Sequence, residues 1–586
     1  MSATILPSCS PASMSGFPLV DDLIVYVFEV IFYSSTNDGR LLNTCDIARL
    51  ARVCRRFREP ALNVLWSFLE TPAPLVLCAP EEMRMVDEKR IVRLLRPPKV
   101  SDWNIVRPYA RRVKKLGYFD DAGRFCRPPP LLPTVDFAIV RELLRICTDD
   151  VFLPNLVSLN CEALSPQTLT VTEFSKIANF CSADLSRLLL IIPPGATPVN
   201  ATEVLNSLQR SCPVVTVLSI SAGFRYNPFD LQFRGPWLEN LRVLTLMSVS
   251  LSSETIAELA VAPRLHTLKF SLTDTFNPTA FRAHLGLSRS PLRHQPSTFA
   301  YLRVLHLRAL QIALLTGFFD AVSLPHLLDT TILYHDNSGP SDISPALRGL
   351  EKSCQARILR TLAFSCMAPS KRPASSPTIL AGSGVLTTAG AQLADTLPDI
   401  SPPSLVLHPI LSFSTLRVLS ISHPLPIIDD DFIGRLSENL GALQTLNISG
   451  PKRLSPASLV ALAQNCRELR QLAMAFDGTE LPAIKKRKPL TPLRAASSPS
   501  TKQGAEGECV VTPQQALKVF NVGVSIFRNA TAMASFIDAI FPSTDLLYID
   551  PCWDGVSSRM KSMRLAQQSL GGSVSGASRG AKRKFD

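Results

Sequence analysis

The hexapeptides Leu416-Arg417-Val418-Leu419-Ser420-Ile421 and Leu443-Gln444-Thr445-Leu446-Asn447-Ile448 share one pattern: an apolar residue, two variable ones, an apolar, one variable and an apolar again. Alternation at period two over the second half of each predicts a strand with one face turned inward. Between them Phe432, Ile433, Leu436 and Leu440 recur at helical spacing over residues 430–440, with Asp430 as the expected N-cap. Strand, turn, helix, turn and strand therefore fit between two starts.

The pattern continues in both directions. It reads Val113-Leu116-Tyr118, Leu156-Leu159-Cys161, Leu185-Leu188-Leu190, Val215-Leu218-Ile220, Leu241-Leu244-Leu246, Leu265-Leu268-Phe270 and Leu302-Leu305-Leu307. A frayed copy follows near Leu328 to Leu333, then Leu359-Leu362-Phe364 and, after the two opening copies, Leu469-Leu472-Met474. Helical spacing recurs at 253–260 behind Ser252 and at 456–463 behind Ser455, with Pro456 at the first helical position. Most starts lie 24 to 31 residues apart. The array resembles leucine-rich repeats, whose period is about 20–29 residues. The fold class this implies is α/β, an irregular leucine-rich-repeat solenoid in which each unit covers the apolar face of the next.

Two gaps break the rhythm and read as disordered insertions, residues 367–409 and the basic stretch 477–512. Both are rich in Pro, Ser and Gly and poor in aromatics, so neither buries enough surface to offset chain entropy. The second contains Lys485-Lys486-Arg487-Lys488, similar to a short nuclear-import signal, beside Thr491-Pro492 and Ser498-Pro499, which resemble proline-directed phosphorylation sites. Residues 513–555 read as a terminal repeat or cap, and 556–586 as a disordered basic tail.

Ahead of the array, residues 71–110 read as a linker in which 81–95 is expected to form a charged helix. Before it, within residues 17–70, stand two helical blocks. In the first, Leu19, Leu23, Val27 and Ile31 recur every fourth residue, shadowed by Ile24, Phe28 and Phe32. In the second, Val53, Phe57, Ala61, Leu65 and Leu69 make another row among several arginines. The pairing resembles the F-box, with Leu19, Asp22, Leu23, Val27 and Phe28 in the family's register, followed by Val53-Cys54-Arg55-x-Phe57 and Leu65-Trp66. Val20 stands where the family carries proline.

The resemblance implies an adaptor that docks on the Skp subunit and cullin core of a ubiquitin ligase and presents an unknown protein substrate. Leu19, Leu23, Ile24, Val27, Phe28, Ile31, Val53, Cys54, Arg55, Phe57, Leu65 and Trp66 would divide between the module's core and its Skp-binding face. The variable strand positions are the default substrate surface. Arg242, Arg303, Arg417 and Arg470 recur just after the first strand leucine, either as a basic ladder facing an acidic partner or as solvated strand ends. The alternative is a leucine-rich interaction scaffold, outside any ligase, whose N-terminal helices cap the array.

Of 586 residues, 46% are hydrophobic and 19% charged, enough to bury a core along most of the chain. The net charge of +13 is carried largely by scattered arginines, with no accompanying nucleic-acid-binding motif, so specific nucleic-acid binding is not expected. The 14 cysteines include no CxxC pair, so the plain expectation is buried thiols in a reducing compartment without metal or cofactor. Residues 1–16 read as a disordered N-terminus with no signal-peptide pattern, and no apolar run is long enough to span a membrane. The expected location is cytoplasmic, nuclear or both. No nucleotide-binding, zinc-protease or serine-hydrolase motif occurs, which points to a non-catalytic subunit.

Overall fold

The computed structural model describes residues 18–33, 43–118, 134–135, 137–147, 151–164, 169–222, 233, 235–286, 298–335, 343–367, 406–422, 428–450, 454–486, 508–511, 513–523, 525–547 and 553–572. The chain forms two compact units, Met1–Val249 and Ser250–Asp586.

The first unit begins with three helices, α1 (Pro18–Tyr33), α2 (Thr44–Val53) and α3 (Arg55–Ser67). α3 runs directly into β1 (Phe68–Leu69). Five more strands follow in parallel and in chain order: β2 (Lys115–Leu116), β3 (Ser158–Asn160), β4 (Arg187–Ile192), β5 (Val217–Ala222) and β6 (Val243–Ser250). The register aligns Leu116, Leu159, Leu188, Leu218 and Leu244 in one column. All five are fully buried.

The second unit repeats the device over nine parallel strands. These are β7 (Thr267–Leu272), β8 (Val304–Ala309), β9 (Asp329–His335), β10 (Thr361–Met367), β11 (Val418–Ser422), β12 (Thr445–Ser449), β13 (Gln471–Ala473), β14 (Val519–Asn521) and β15 (Asp545–Leu547). Parallel neighbours need a crossover, and helices such as Pro278–His284, Ser344–Ser353, Asp430–Asn439 and Pro456–Asn465 supply it. Their apolar faces are buried against the strand leucines, each worth about 1.5–3 kcal/mol when removed from water. Buried polar atoms tie neighbouring turns together. The Gln514 side-chain amide donates to the Leu469 carbonyl at 2.8 Å and its oxygen accepts from the Leu517 N–H at 3.0 Å.

The mixed α/β array of parallel strands and helices is the solenoid-like repeat fold that the hexapeptides predict. The frayed copy is displaced by one residue: Leu327, Thr330 and Ile332 take the buried positions, and Leu328 and Leu333 are only half-buried. Thr330 pairs in register with Leu305 and Leu362, so threonine occupies a leucine position. Within residues 513–555, read as a terminal repeat or cap, lies a further rung, Leu517-Phe520-Val522, which is fully buried.

Other expectations are corrected. Residues 81–95 form no charged helix; a 3-10 turn (Glu81–Met83) leads into a hairpin of Arg84–Val86 and Ile91–Leu94. Asp87 closes the hairpin turn by accepting from the Ile91 N–H at 2.8 Å, a local bond that competes with helix. The helix at 430 is capped by Asp429, whose carboxylate accepts from the Phe432 N–H at 2.8 Å. Asp430 instead accepts from the Ser455 N–H at 2.9 Å, bridging to the next repeat.

Neither insertion reaches its expected bounds. Val406, Leu407 and Ile410 are buried around a turn at His408–Ser412, and the rest of the first insertion lies outside the described residues. In the second, Asp477–Gly478 pairs with Ile526–Phe527 and Ala483–Lys486 with Glu508–Val511, each pair forming a two-stranded parallel sheet of its own. The expected tail from 556 contains a helix, Asp554–Gly572. Val556 and Met560 are buried, and Arg564 pairs with Asp538 at 3.1 Å. Residues 1–16 lie outside the description. Among the described residues no helix is long and apolar enough to cross a membrane, and no cysteine is paired.

Candidate docking site on the N-terminal head

α1 is apolar on almost every side, as a helix buried all round would be. Its inward residues are Phe28 and Phe32, fully buried with Ile47 of α2 and Ala61 and Val64 of α3. Ile24, Ile31, Leu50, Phe57 and Leu65 are half-buried around that cluster. Phe28 meets Phe57 edge-on, with ring centres 5.5 Å apart, a favoured aromatic geometry. The helices are set by local chemistry. Asn43 caps α2, its side-chain oxygen accepting from the Asp46 N–H at 3.3 Å, and its own N–H donates to the Phe32 carbonyl at 3.0 Å. Cys54 adopts extended backbone and breaks α2 from α3.

The opposite face of α1 is exposed over most of its length. Leu23, Tyr26, Val27, Val30 and Tyr33 follow helical spacing and are 59, 63, 44, 52 and 46% exposed. Val53, at the end of α2, is 65% exposed. Asp21 and Arg56 pair across the surface at 3.3 Å, which puts the α2–α3 junction beside the first turns of α1. Leu23 and Val53 therefore lie at the same end of the head, with Cys54 and Arg55 exposed between α2 and α3. A contiguous apolar stripe of this kind is what an interaction site leaves bare.

The head is fixed to the ladder. Trp66 is half-buried and packs on Tyr109 with ring centres 4.7 Å apart. Arg112 pairs with Glu59 at 2.6 Å and also bonds Asn63. The Lys115 ammonium lies 5.3 Å from the centre of the Tyr33 ring.

The site residues expected from sequence thus separate. Ile24, Phe28, Ile31, Phe57 and Leu65 belong to the head's own core, and Trp66 to its seat on the ladder. Leu23, Val27, Val53, Cys54 and Arg55 are exposed, and the side chain of Leu19 lies outside the description. Tyr26, Val30 and Tyr33 join the exposed stripe unanticipated; their i+3, i+7 and i+10 spacing from Leu23 was a usable signal. The four ladder arginines, Arg242, Arg303, Arg417 and Arg470, are all exposed at equivalent places, Arg242 in the first unit and the others in the second. Of the basic tetrad, the backbone of Lys485 and Lys486 ends a short strand, whereas Arg487 and Lys488 lie outside the described residues. No cluster of metal-ligating side chains occurs among the described residues. Burial pushes the Cys354 and Cys466 thiols up to about 12, the chemistry of packed rather than reactive sulfur.

No protein-family model and no curated protein matches the sequence. Among solved structures, the yeast Rad7 and Elc1 complex is similar at a TM-score of 0.30 and 13% identity, with 74% of this chain and 90% of that chain covered. At that TM-score the likeness carries no argument about function.

Proposed function

We propose that the protein is the substrate-recognition adaptor of a cullin-type ubiquitin ligase, docking on a Skp-type subunit through the head and holding a protein substrate on the ladder. The observation that carries this reading is the bare apolar stripe of α1 beside the exposed Val53-Cys54-Arg55 junction, in a head whose sequence resembles the F-box. The exposed Leu23, Val27, Val53, Cys54 and Arg55 are among the residues that the resemblance shares between core and docking face, and the head's core packs without Leu23, Val27 and Val53. Burying such a stripe is worth several kcal/mol to an interface, since each large apolar side chain contributes about 1.5–3 kcal/mol. In this role the chain forms and breaks no bonds. It raises the effective concentration of a substrate lysine near a ligase-bound ubiquitin, and a head locked to the ladder keeps that distance short.

The scaffold alternative draws on the same attachment: α3 continues into β1, and Trp66 and Arg112 seat the head as a cap would. Co-purification with a Skp subunit separates the two. The wild-type chain is expected to retain the subunit, and Leu23→Asp/Val27→Asp, changed only on the exposed face, is expected to lose it while melting normally. No retention by the wild type would leave the scaffold.

A further inference from the structure

We infer that the second unit carries a linear binding site for an extended acidic peptide, built on a column of cations that the ladder stacks at one edge of its strands. The column consists of the residue after the first buried apolar position of each rung: His266, Arg303, Leu328, Arg360, Arg417, Gln444, Arg470 and Lys518. Its members are consecutive in space. The Arg303 N–H donates to the His266 carbonyl, Leu328 to Arg303, Arg360 to Leu328, Arg417 to Arg360, Gln444 to Arg417, Arg470 to Gln444 and Lys518 to Arg470, all at 2.7–2.9 Å. Arg360 and Lys518 extend the arginine series read from the sequence. Arg303, Arg360, Arg417, Arg470 and Lys518 are all exposed, and none makes an ion pair with a described residue.

Charge and floor together define the occupant. The column holds five cations and no carboxylate of its own; beside it, Glu468 accepts from the Gln444 side-chain amide at 3.3 Å. On the outward strand positions beside it, Lys269 and Arg308 are matched by Asp329 and Asp545, so the excess positive charge belongs to the column. From β10 to β12 those outward positions are Thr361, Ala363, Ser365, Val418, Ser420, Ser422, Thr445, Asn447 and Ser449, small and mostly hydroxyl-bearing. Such a floor admits a main chain and offers it hydrogen bonds. It has no aromatic ring on which a nucleic-acid base could stack, which favours a peptide over a single-stranded nucleic acid. At about 4.8 Å per strand, Arg303 to Lys518 spans about 29 Å, the length of about nine extended residues. Adjacent cations at Arg360/Arg417 and Arg470/Lys518 suit acidic residues grouped in pairs.

This inference is independent of the ligase reading, and its test uses the full chain with no adaptor present. Fluorescein-labelled deca-glutamate, deca-glutamine and a ten-residue oligo-dT are titrated by fluorescence anisotropy at low salt, where unscreened charge is read most clearly. Deca-glutamate is expected to bind and deca-glutamine not. Arg417→Glu/Arg470→Glu should weaken deca-glutamate binding by about tenfold or more. Arg282→Glu/Arg348→Glu, the same charge change on exposed helix positions, should weaken it by less than about twofold. Leu23→Asp/Val27→Asp should bind as the wild type does, which keeps this outcome separate from that of adaptor docking. Equal loss in both arginine pairs would reduce the effect to bulk charge and overturn the site. Tighter binding of oligo-dT than of deca-glutamate would overturn the peptide assignment in favour of nucleic acid.

Discussion

The helix Asp430–Asn439 and α1 are both built on apolar residues at helical spacing, yet they end differently. In the first, Phe432, Ile433 and Leu436 are buried between one rung and the next, and the outer face is polar. In α1, Phe28 and Phe32 are buried and Leu23, Tyr26, Val27 and Val30 are bare. Apolar spacing reports a surface that needs cover, and the chain supplies that cover for the inner rungs of the ladder but for only half of α1. The remaining half is the face that we propose a partner covers.

The contrast can be broken most forcefully in the cores. Leu446→Ala removes a fully buried side chain from the middle of a ladder column, and Phe28→Ala removes the centre of the head. Each should cost about 3 kcal/mol or more, read as a lower denaturation midpoint. If Phe28→Ala were neutral, the head's core would be wrongly placed. The next effect has the opposite sign. The Thr330 hydroxyl is buried at a leucine position with no hydrogen-bond partner among the described residues, so Thr330→Val should stabilise the chain by about 1 kcal/mol in chemical denaturation.

A smaller effect follows from His306 on β8. Burial pushes its imidazole down to about 4, Lys269 adding to the shift and Asp329 opposing it. Between that value and the ordinary 6.5 the unfolded chain binds more protons than the folded one. Stability therefore falls as pH drops from about 6.5 towards 4. His306→Gln should flatten this acid-side fall, with a melting temperature at pH 5 that lies a few degrees (about 2–4 °C) closer to the neutral value than in the wild type.

The ladder was legible because its period is stated many times, so one poor copy cannot mislead about the rest. That copy shows where legibility stops. Leu328 and Leu333 look like the pattern, but the neighbours' register, not their own hydrophobicity, puts Thr330 inside. The helix Asp554–Gly572 was hidden for the opposite reason: it is mostly polar, and Val556, Met560 and the Arg564–Asp538 pair anchor it. In the head the two helical blocks were readable, but the second is split at Cys54 into α2 and α3 and Leu69 lies in β1. The division of α1 was not readable, because both faces carry the same residue types and contacts with Ile47, Phe57, Ala61 and Val64 decide which is inside. Arg360 and Lys518 were within reach of the sequence, following Leu359 and Leu517 as Arg417 follows Leu416.

The central claim is that the bare face of α1 belongs to a partner, and calorimetric titration of the full chain with a Skp-type subunit at several temperatures tests it most directly. Burial of apolar surface gives binding a negative heat-capacity change. Saturable binding with that signature is expected, lost in Leu23→Asp/Val27→Asp while the melting temperature of the free chain stays within about 1 °C of wild type. Absence of binding by the wild-type chain, or binding unchanged in the variant, would contradict it.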